Sequence, residues 1–301
     1  MTADPAAPLL GAACALGSAL AWTLIGLVAR ALSPYFNALS INMLRSASGG
    51  GLLVAVVLVW GGVPTLREVT LEAWVLLGIS VITAFALGDT AFFESTKTLG
   101  LAQAMTVSMV YPLLASVLGL WVFGERITPA VAAGAVVTLG GVALIVSERG
   151  TPGAASPEAG DGRARGLGLA LLAALSWAVS TILMKAPLSE VDPVSVQAVR
   201  LPLAALVLWL TPWARGAGRQ VRAHLRAAGP LLVAMAVLTA LSSVLFVAGL
   251  KYASIAVATV LSSTAPVFAL PIGRFALGER VTWRAVGGAT LCVGGIALLS
   301  L

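Results

Sequence analysis

Asp89 and Glu94 stand in the stretch Gly88-Asp-Thr-Ala-Phe-Phe-Glu-Ser-Thr-Lys97, inside a run whose other residues suit lipid. A carboxylate at membrane depth costs roughly 3 kcal/mol unless it is paired, protonated or facing water, which makes it a functional candidate. Its chemistry would be to carry a proton or to bind an ammonium group. Arg45 and Arg200 supply the opposite charge, and each follows an amide by three residues, Asn42 and Gln197. That spacing puts amide and guanidinium on one helix face. Two readings stand for these arginines. They form an anion-binding corner for a carboxylate or phosphate, or they are structural side chains bonded to nearby carbonyls or snorkelling to headgroups.

Arg45 lies eight residues past Asn37 at the start of its helix, and Asp89 lies eight residues before Lys97 at the end of its own. Each is about 12 Å from the same membrane face, so a buried pair or a shared clamp is possible. Phe85, Phe92 and Thr96 share the Asp89 face and suggest a pocket wall. Glu94, three residues before Lys97, reads as half of an interfacial ion pair. Trp22 and Trp177 fall mid-helix, away from the interfacial belt where Trp concentrates. With Ser18 near the first, and Ser180 and Thr181 near the second, as indole partners, they read as pocket lining. Pro112 and Pro266 each interrupt a helix and deprive a carbonyl of its partner. Ser108 and Tyr111 precede the first break and Ser262, Ser263 and Thr264 the second. These positions are hinge candidates, with a static kink as the alternative.

The elements that must hold these residues are dictated by composition. The 301 residues are 59% hydrophobic and 10% charged, with a mean hydropathy of +1.01. Soluble domains run near a quarter charged, so this is the composition of an all-α polytopic membrane protein. Apolar runs able to cross ~30 Å of hydrocarbon predict ten helices, over 8–30, 36–60, 73–95, 99–122, 128–147, 166–186, 193–213, 229–250, 253–275 and 281–301. The net charge of +6 sits in loops, which suits anionic headgroups rather than nucleic acid. Arg219, Arg222 and Arg226, beside His224, predict a short amphipathic segment in the loop between helices 7 and 8. Cys14 and Cys292 lie in apolar spans as packing residues, and a single histidine excludes a His-based metal site or triad. No cofactor or metal is expected. Ala19-Leu20-Ala21 could pass for a cleavage site, but no Lys or Arg precedes the apolar run, so it is kept as mature helix.

The chain also repeats. At a spacing of 155, Trp22 matches Trp177, Arg30 matches Lys185, Ser40 matches Ser195, Asn42 matches Gln197 and Arg45 matches Arg200. At 154, Phe92 matches Phe246, Lys97 matches Lys251, Pro112 matches Pro266, and Gly124-Glu-Arg matches Gly278-Glu-Arg. The acids do not repeat: Asp89 falls on Ser243 and Glu94 on Ala248. The predicted divisions are a first repeat over 1–147, a polar Gly/Pro/Ala linker over 148–165 and a second repeat over 166–301. Five helices per half is an odd number, so the ten transmembrane helices form two inverted five-helix repeats. Gly134 with Gly141, and Gly288 with Gly295, form small-residue seams for close helix packing or a dimer contact.

With these residues in view, the chain resembles the drug/metabolite transporter superfamily, specifically its ten-helix members built from two EamA-type repeats. The resemblance rests on Ala21-Trp22 and Ser176-Trp177, on Arg45 and Arg200, on Pro112 and Pro266, and on Gly-Glu-Arg-(Ile/Val)-Thr at 124–128 and 278–282. It implies export or exchange of amino acids, other small metabolites or drugs, and both termini in the cytoplasm. Loop charge implies the reverse orientation. Four basic residues lie on the face of the termini and twelve on the opposite face, and positive loops stay inside.

Inverted repeats with matched broken helices are the build of secondary transporters. The expected function is alternating-access transport of a small molecule such as an amino acid or drug-like compound, with protons or a counter-substrate as driving partner. Asp89 is the coupling or ammonium-binding candidate, and Arg45 and Arg200 are the candidates for a carboxylate. Trp22, Trp177, Tyr111, Phe92, Ser243 and Ser180 complete the expected site. No phosphate-binding loop is present for ATP, and no nucleophile–base pair for an intramembrane enzyme. A non-transporting scaffold is the remaining alternative. The expected setting is a prokaryotic cell membrane, as a monomer or homodimer.

Overall fold

A computed structural model describes residues 7–32, 34–60, 69–99, 104, 107–108, 110–148, 161–211, 217–276 and 282–299. Among these residues the fold is all-helical. In the first half, α1 is Ala7–Leu32 and α2 is Ala38–Trp60. Helix α3 runs over 71–99 in three pieces, Leu71–Val81, a π-helical segment Ile82–Asp89, and Thr90–Leu99. Helix α4 is Tyr111–Phe123 and α5 is Pro129–Glu148. In the second half, α6 is Asp161–Lys185, α7 is Pro193–Trp209 and α8 is Ala217–Tyr252. Helix α9 is split into Ile255–Ser262 and Ala265–Ala276, and α10 is Trp283–Leu299. Of the predicted linker, residues 149–160 lie outside the described residues, and α6 already begins at Asp161.

Short polar residues start these helices. Asn37 Oδ1 accepts from the Ser40 amide at α2, and Thr70 from Ala73 at α3. Asp192 accepts from Val194 and Ser195 at α7, and Ser254 from Val257 at α9. Each satisfies an amide left without an intrahelical partner. In the first copy, the Gly-Glu-Arg-X-Thr motif is a helix stop and then a helix start. Gly124 ends α4 in the left-handed region at φ 64°, where a residue without Cβ is unstrained. Thr128 and Thr282 then cap α5 and α10 through the amides of Val131 and Ala285. Glu125, between Gly124 and Thr128, accepts from the Ile255 amide at 2.8 Å and lies 3.5 Å from Lys185 Nζ. Lys185 in turn donates to the carbonyls of Leu250 and Ala253. One ion pair thus joins the ends of α4, α6 and α8 to the start of α9. Its repeat counterpart Glu279 lies outside the described residues.

The two halves interlock. Helix α1 packs on α8, and α6 packs in the same way on α3; α2 packs on its counterpart α7, and α5 on its counterpart α10. Pairs that map onto themselves must lie on the axis relating the halves, and the odd number of helices in each half makes the second copy an inverted version of the first. Among the described residues, five helices have spans long and apolar enough to cross a bilayer alone: Ala7–Ala29, Leu39–Trp60, Leu71–Phe92, Ala164–Ser189 and Gly218–Tyr252. Shorter apolar helices fill the remainder. Trp60, Trp121 and Trp283 near helix ends are at least 80% exposed, as expected of aromatic anchors at the lipid–water interface.

Three expectations change. The basic segment Arg219–Arg226 is not a loop, because α8 begins at Ala217 and carries it as extra helical turns. Its Ala- and Arg-rich sequence favours helix, and Pro230 removes only one ladder bond. His224 therefore sits on a helix, its ring 5.6 Å from Tyr35 and 6.2 Å from Phe36. The proline breaks are also relocated. Pro112 is the second residue of α4, with Val110 as its cap, and Pro266 is the second residue of the resumed α9. Each lies in a first turn, where a missing N–H costs nothing. The actual break in α9 falls one turn earlier, where Ser263 and Thr264 bond back three residues to Val260 and Leu261.

The third change concerns the glycine seams, which are consumed inside the molecule. A Cβ on Gly141 would stand 2.5 Å from the Gly288 carbonyl, and one on Gly295 would strike Thr138 and the Gly134 carbonyl. The faces proposed for a dimer contact are thus the α5–α10 interface. Gly295→Ala is expected to destabilise by about 1–3 kcal/mol through overpacking, lowering the thermal midpoint of the purified protein. Gly294→Ala, whose Cβ meets nothing within 4 Å, should leave the midpoint level or slightly raised. Equal midpoints for the two variants would refute the seam.

Candidate functional site

The π-helical segment sets the position of the acid. An α-helix continued through Ile82–Asp89 would have kept α3 regular; the wider turn re-aims the side chains at its end. Asp89 ends this segment and faces α6 and α2. Its Oδ1 accepts from the indole Nε1–H of Trp177 on α6 at 3.0 Å. Its Oδ2 accepts from Asn42 Nδ2 on α2 at a longer 3.5 Å. Asn42 uses its other end on Arg45, whose Nη2 donates to Asn42 Oδ1 at 2.7 Å. Arginine can only donate and an ionised carboxylate can only accept, so this assignment of the Asn42 oxygen and nitrogen is the one that satisfies both. Among the described residues, Asp89 and Arg45 form no direct ion pair. They are level, as counting residues predicts, and a single amide stands between them.

Aromatic rings enclose this trio. The Arg45 guanidinium lies 4.7 Å from the centroid of the Trp22 ring, a cation–π contact. Phe92 packs at 5.5 Å from the Trp177 ring, and Tyr111 meets Trp177 edge-on at 6.0 Å. The Tyr111 hydroxyl accepts from Ser263 at 3.4 Å, which links α4 to the break in α9. A second link to that break comes from Thr23, one residue past Trp22, which donates to the Ala265 carbonyl at 2.8 Å. Asp89, Arg45, Trp177, Phe92 and Tyr111 are all partly exposed, and Trp22 is 49% exposed.

The other expected residues lie apart. Arg200 is 5% exposed and makes four hydrogen bonds. Its Nε donates to Ser80 Oγ at 3.0 Å, Nη1 to Met184 Sδ at 2.9 Å and Gln197 Oε1 at 3.4 Å, and Nη2 to Ser180 Oγ at 3.4 Å. Ser180 donates to the Ser80 carbonyl at 2.6 Å, just before the π-helical segment. Arg200 and Ser180 thus bind α6, α7 and α3 together, with all three guanidinium nitrogens donating within the protein. Ser243 takes the Asp89 position of the second half, where its carbonyl accepts from Gln197 at 3.1 Å and its hydroxyl donates to Ala240. The expected indole partners are otherwise occupied. Ser18 bonds to Ser242 across α1 and α8, and Thr181 to the Trp177 carbonyl. Glu94 is partly buried, whereas its proposed partner Lys97, like Thr96, has a side chain outside the described residues.

Two residues missing from the expected site prove central. Asn42 could have been found from the amide-to-arginine spacing repeated at Gln197 and Arg200. Gly88 carried no signal. A Cβ on it would stand 2.7 Å from both Cδ1 and Nε1 of the Trp177 ring, so the bare α-carbon is what lets the indole reach Asp89.

A family model described as the EamA-like transporter family matches residues 9–147 and, a second time, residues 164–301. A protein of Archaeoglobus fulgidus, described as an uncharacterized transporter, is 29% identical over 234 residues, covering 77% of this chain and 78% of the relative. A solved crystal structure superposes with a TM-score of 0.76 at 20% identity, over 97% of this chain and 96% of that one. It shares the fold.

Gly88→Ala is expected to push the indole off Asp89 and destabilise by about 1–3 kcal/mol. Trp177→Leu in the same chain should relieve the clash, so the double variant costs less than the sum of the two single ones. Thermal midpoints of the four proteins measure this, and strict additivity would contradict the contact.

Proposed function

The chain belongs to the EamA-like transporter family, and from that premise we propose that it carries a small zwitterion, an amino acid or a compound like it, across the cell membrane of a prokaryote. The observation that carries this reading is the Asp89–Asn42–Arg45 trio. Asp89 is hydrogen-bonded by neutral donors and makes no direct ion pair with Arg45, so its carboxylate can still meet an ammonium group or a proton. Arg45 spends one of its five N–H donors on Asn42 and stacks on Trp22, which leaves a fork to receive a carboxylate. A substrate with both charges satisfies both groups, whereas a purely anionic one would face Asp89 and a purely cationic one would face Arg45. Trp22, Trp177, Phe92 and Tyr111 supply apolar walls. The second arginine, Arg200, has no part in binding on this reading.

Transport is by alternating access, the two inverted repeats rocking about the site, with export or exchange as the direction. The breaks ahead of Pro112 and Pro266 are the flexing points. Exchange of a proton at Asp89 against the substrate ammonium would couple movement to a proton gradient. All of the trio comes from one chain, so a single copy is the transport unit.

Proteoliposomes holding purified protein test this against a panel of radiolabelled amino acids and a cationic dye. Asp89→Asn and Arg45→Gln are each expected to cut amino-acid flux about tenfold to a hundredfold, the worth of one charge-assisted hydrogen bond. Asp89→Asn should also flatten the dependence of flux on pH. Wild-type rates and an unchanged pH profile in both variants would rule the reading out.

A further inference from the structure

We infer that Asn42 is a spacer that fixes the separation of Asp89 and Arg45, and that it thereby selects substrates whose ammonium and carboxylate are joined through one carbon. This rests on the zwitterion site proposed above. An acid and a base this close at membrane depth gain most by collapsing into a direct pair, because partial burial strengthens their attraction. A collapsed pair would leave neither charge for a ligand. Asn42 prevents this by offering each group the partner it needs: its Nδ2 faces Asp89 Oδ2 and its Oδ1 faces Arg45 Nη2. Both charges then stand on one amide, a planar group whose oxygen and nitrogen share a single carbon. The ammonium and carboxylate of an α-amino acid are held almost as close, both attached to one α-carbon. Such a ligand laid alongside the amide presents its charges in reverse order and matches both protein groups at once. A γ-amino acid spreads its charges too far to do so without folding back.

The second half shows what a longer arm does in the same position. Gln197 donates to the backbone carbonyl of Ser243 at 3.1 Å and accepts from Arg200 at 3.4 Å. Ser243 stands there in place of the acid, and the arginine is locked by Ser80, Met184 and Ser180. The short amide is thus paired with the half that keeps its acid. Asn42 is itself 7% exposed, seated in the wall with its amide turned between the two charged groups. It is a positioning residue, acting on substrate through Asp89 and Arg45.

Asn42→Gln, Asn42→Leu, Asp89→Asn and Arg45→Gln are compared with wild type in proteoliposomes. The probes are radiolabelled L-leucine and γ-aminobutyrate. Wild type is expected to favour leucine. Asn42→Gln, which keeps both amide groups on a longer arm, should reduce the leucine-to-γ-aminobutyrate ratio about tenfold. Asn42→Leu should lose uptake of both. A second readout needs no substrate: the indole N–H resonance of Trp177 in 15N-labelled protein, assigned by Trp177→Phe. Collapse of Asp89 onto Arg45 in Asn42→Leu should withdraw the carboxylate and move that resonance upfield, while Asn42→Gln leaves it near the wild-type position. If Asn42→Leu does not fold, the ratio in Asn42→Gln decides alone. An unchanged ratio in Asn42→Gln, or an unmoved resonance in folded Asn42→Leu, overturns the spacer while loss of flux in Asp89→Asn and Arg45→Gln leaves the zwitterion site standing. Full flux in those last two variants overturns both.

Discussion

The Asp89 carboxylate is solvated by two neutral donors, the Trp177 indole and the Asn42 amide, and much of the surrounding geometry exists to bring them there. A buried charge left without donors would be prohibitively expensive. Meeting the need with a cation would be simpler, but it would neutralise the acid. Neutral donors stabilise the charge and leave it in place. The indole must come from α6, in the opposite repeat, and it approaches so closely that the position before the acid must be glycine. The amide must come from α2. The π-helical segment ending at Asp89 turns the carboxylate toward both. Three helices from two repeats are therefore fixed relative to one another by a single side chain.

The same backbone carries two different chemistries in its two halves. At the first, Asn42 and Arg45 stand beside an acid and a partly exposed tryptophan. At the second, Gln197 and Arg200 stand beside Ser243 and are tied into a dry knot with Ser80, Ser180 and Met184. Arginine at both positions is thus needed for different reasons. Arg200 secures α7 against α3 and α6, where removing it would strand several polar atoms. Arg45 is held by one bond and one ring. The repeated frame is symmetric, and the two halves differ where Asp89 in the first stands opposite Ser243 in the second.

This division explains what could be read from the sequence. Ten helices, their inversion and the level of Asp89 with Arg45 follow from hydropathy, an odd helix count and a rise of 1.5 Å per residue, all of which are local. The seam formed by Gly141 and Gly295 was visible as spacing for close helix packing, although not which two helices it joins. The features that escaped depend on partners far apart in the chain. Trp177 was expected to bond with Ser180 or Thr181, the nearest hydroxyls on its own helix, whereas its partner is 88 residues away. The π-helical turn left no mark in composition, because widening a ladder by one residue changes hydrogen bonds and not hydropathy. Gly88 was invisible for the same reason. The α8 extension was read as loop since its charges break the apolar pattern, yet charge does not oppose helix where the chain leaves the lipid.

The contacts that hold the acid also reach the parts that would have to move. Trp177 donates to Asp89 through its nitrogen and meets the Tyr111 ring in a T-shaped contact, and Tyr111 in turn accepts from Ser263 at the break in α9. Thr23, beside Trp22, donates to the carbonyl of Ala265 immediately after that break. Both tryptophans of the site are thus one or two contacts from the point where a transmembrane helix is interrupted. A ligand that draws on Asp89 or Arg45 changes the balance of forces on Trp177 or Trp22, and the adjacent break is where the backbone can yield at least cost, since its ladder is already interrupted. On the proposed mechanism this is the physical route from an occupied site to a reoriented repeat. It needs no long-range signal beyond two rings and a hydroxyl.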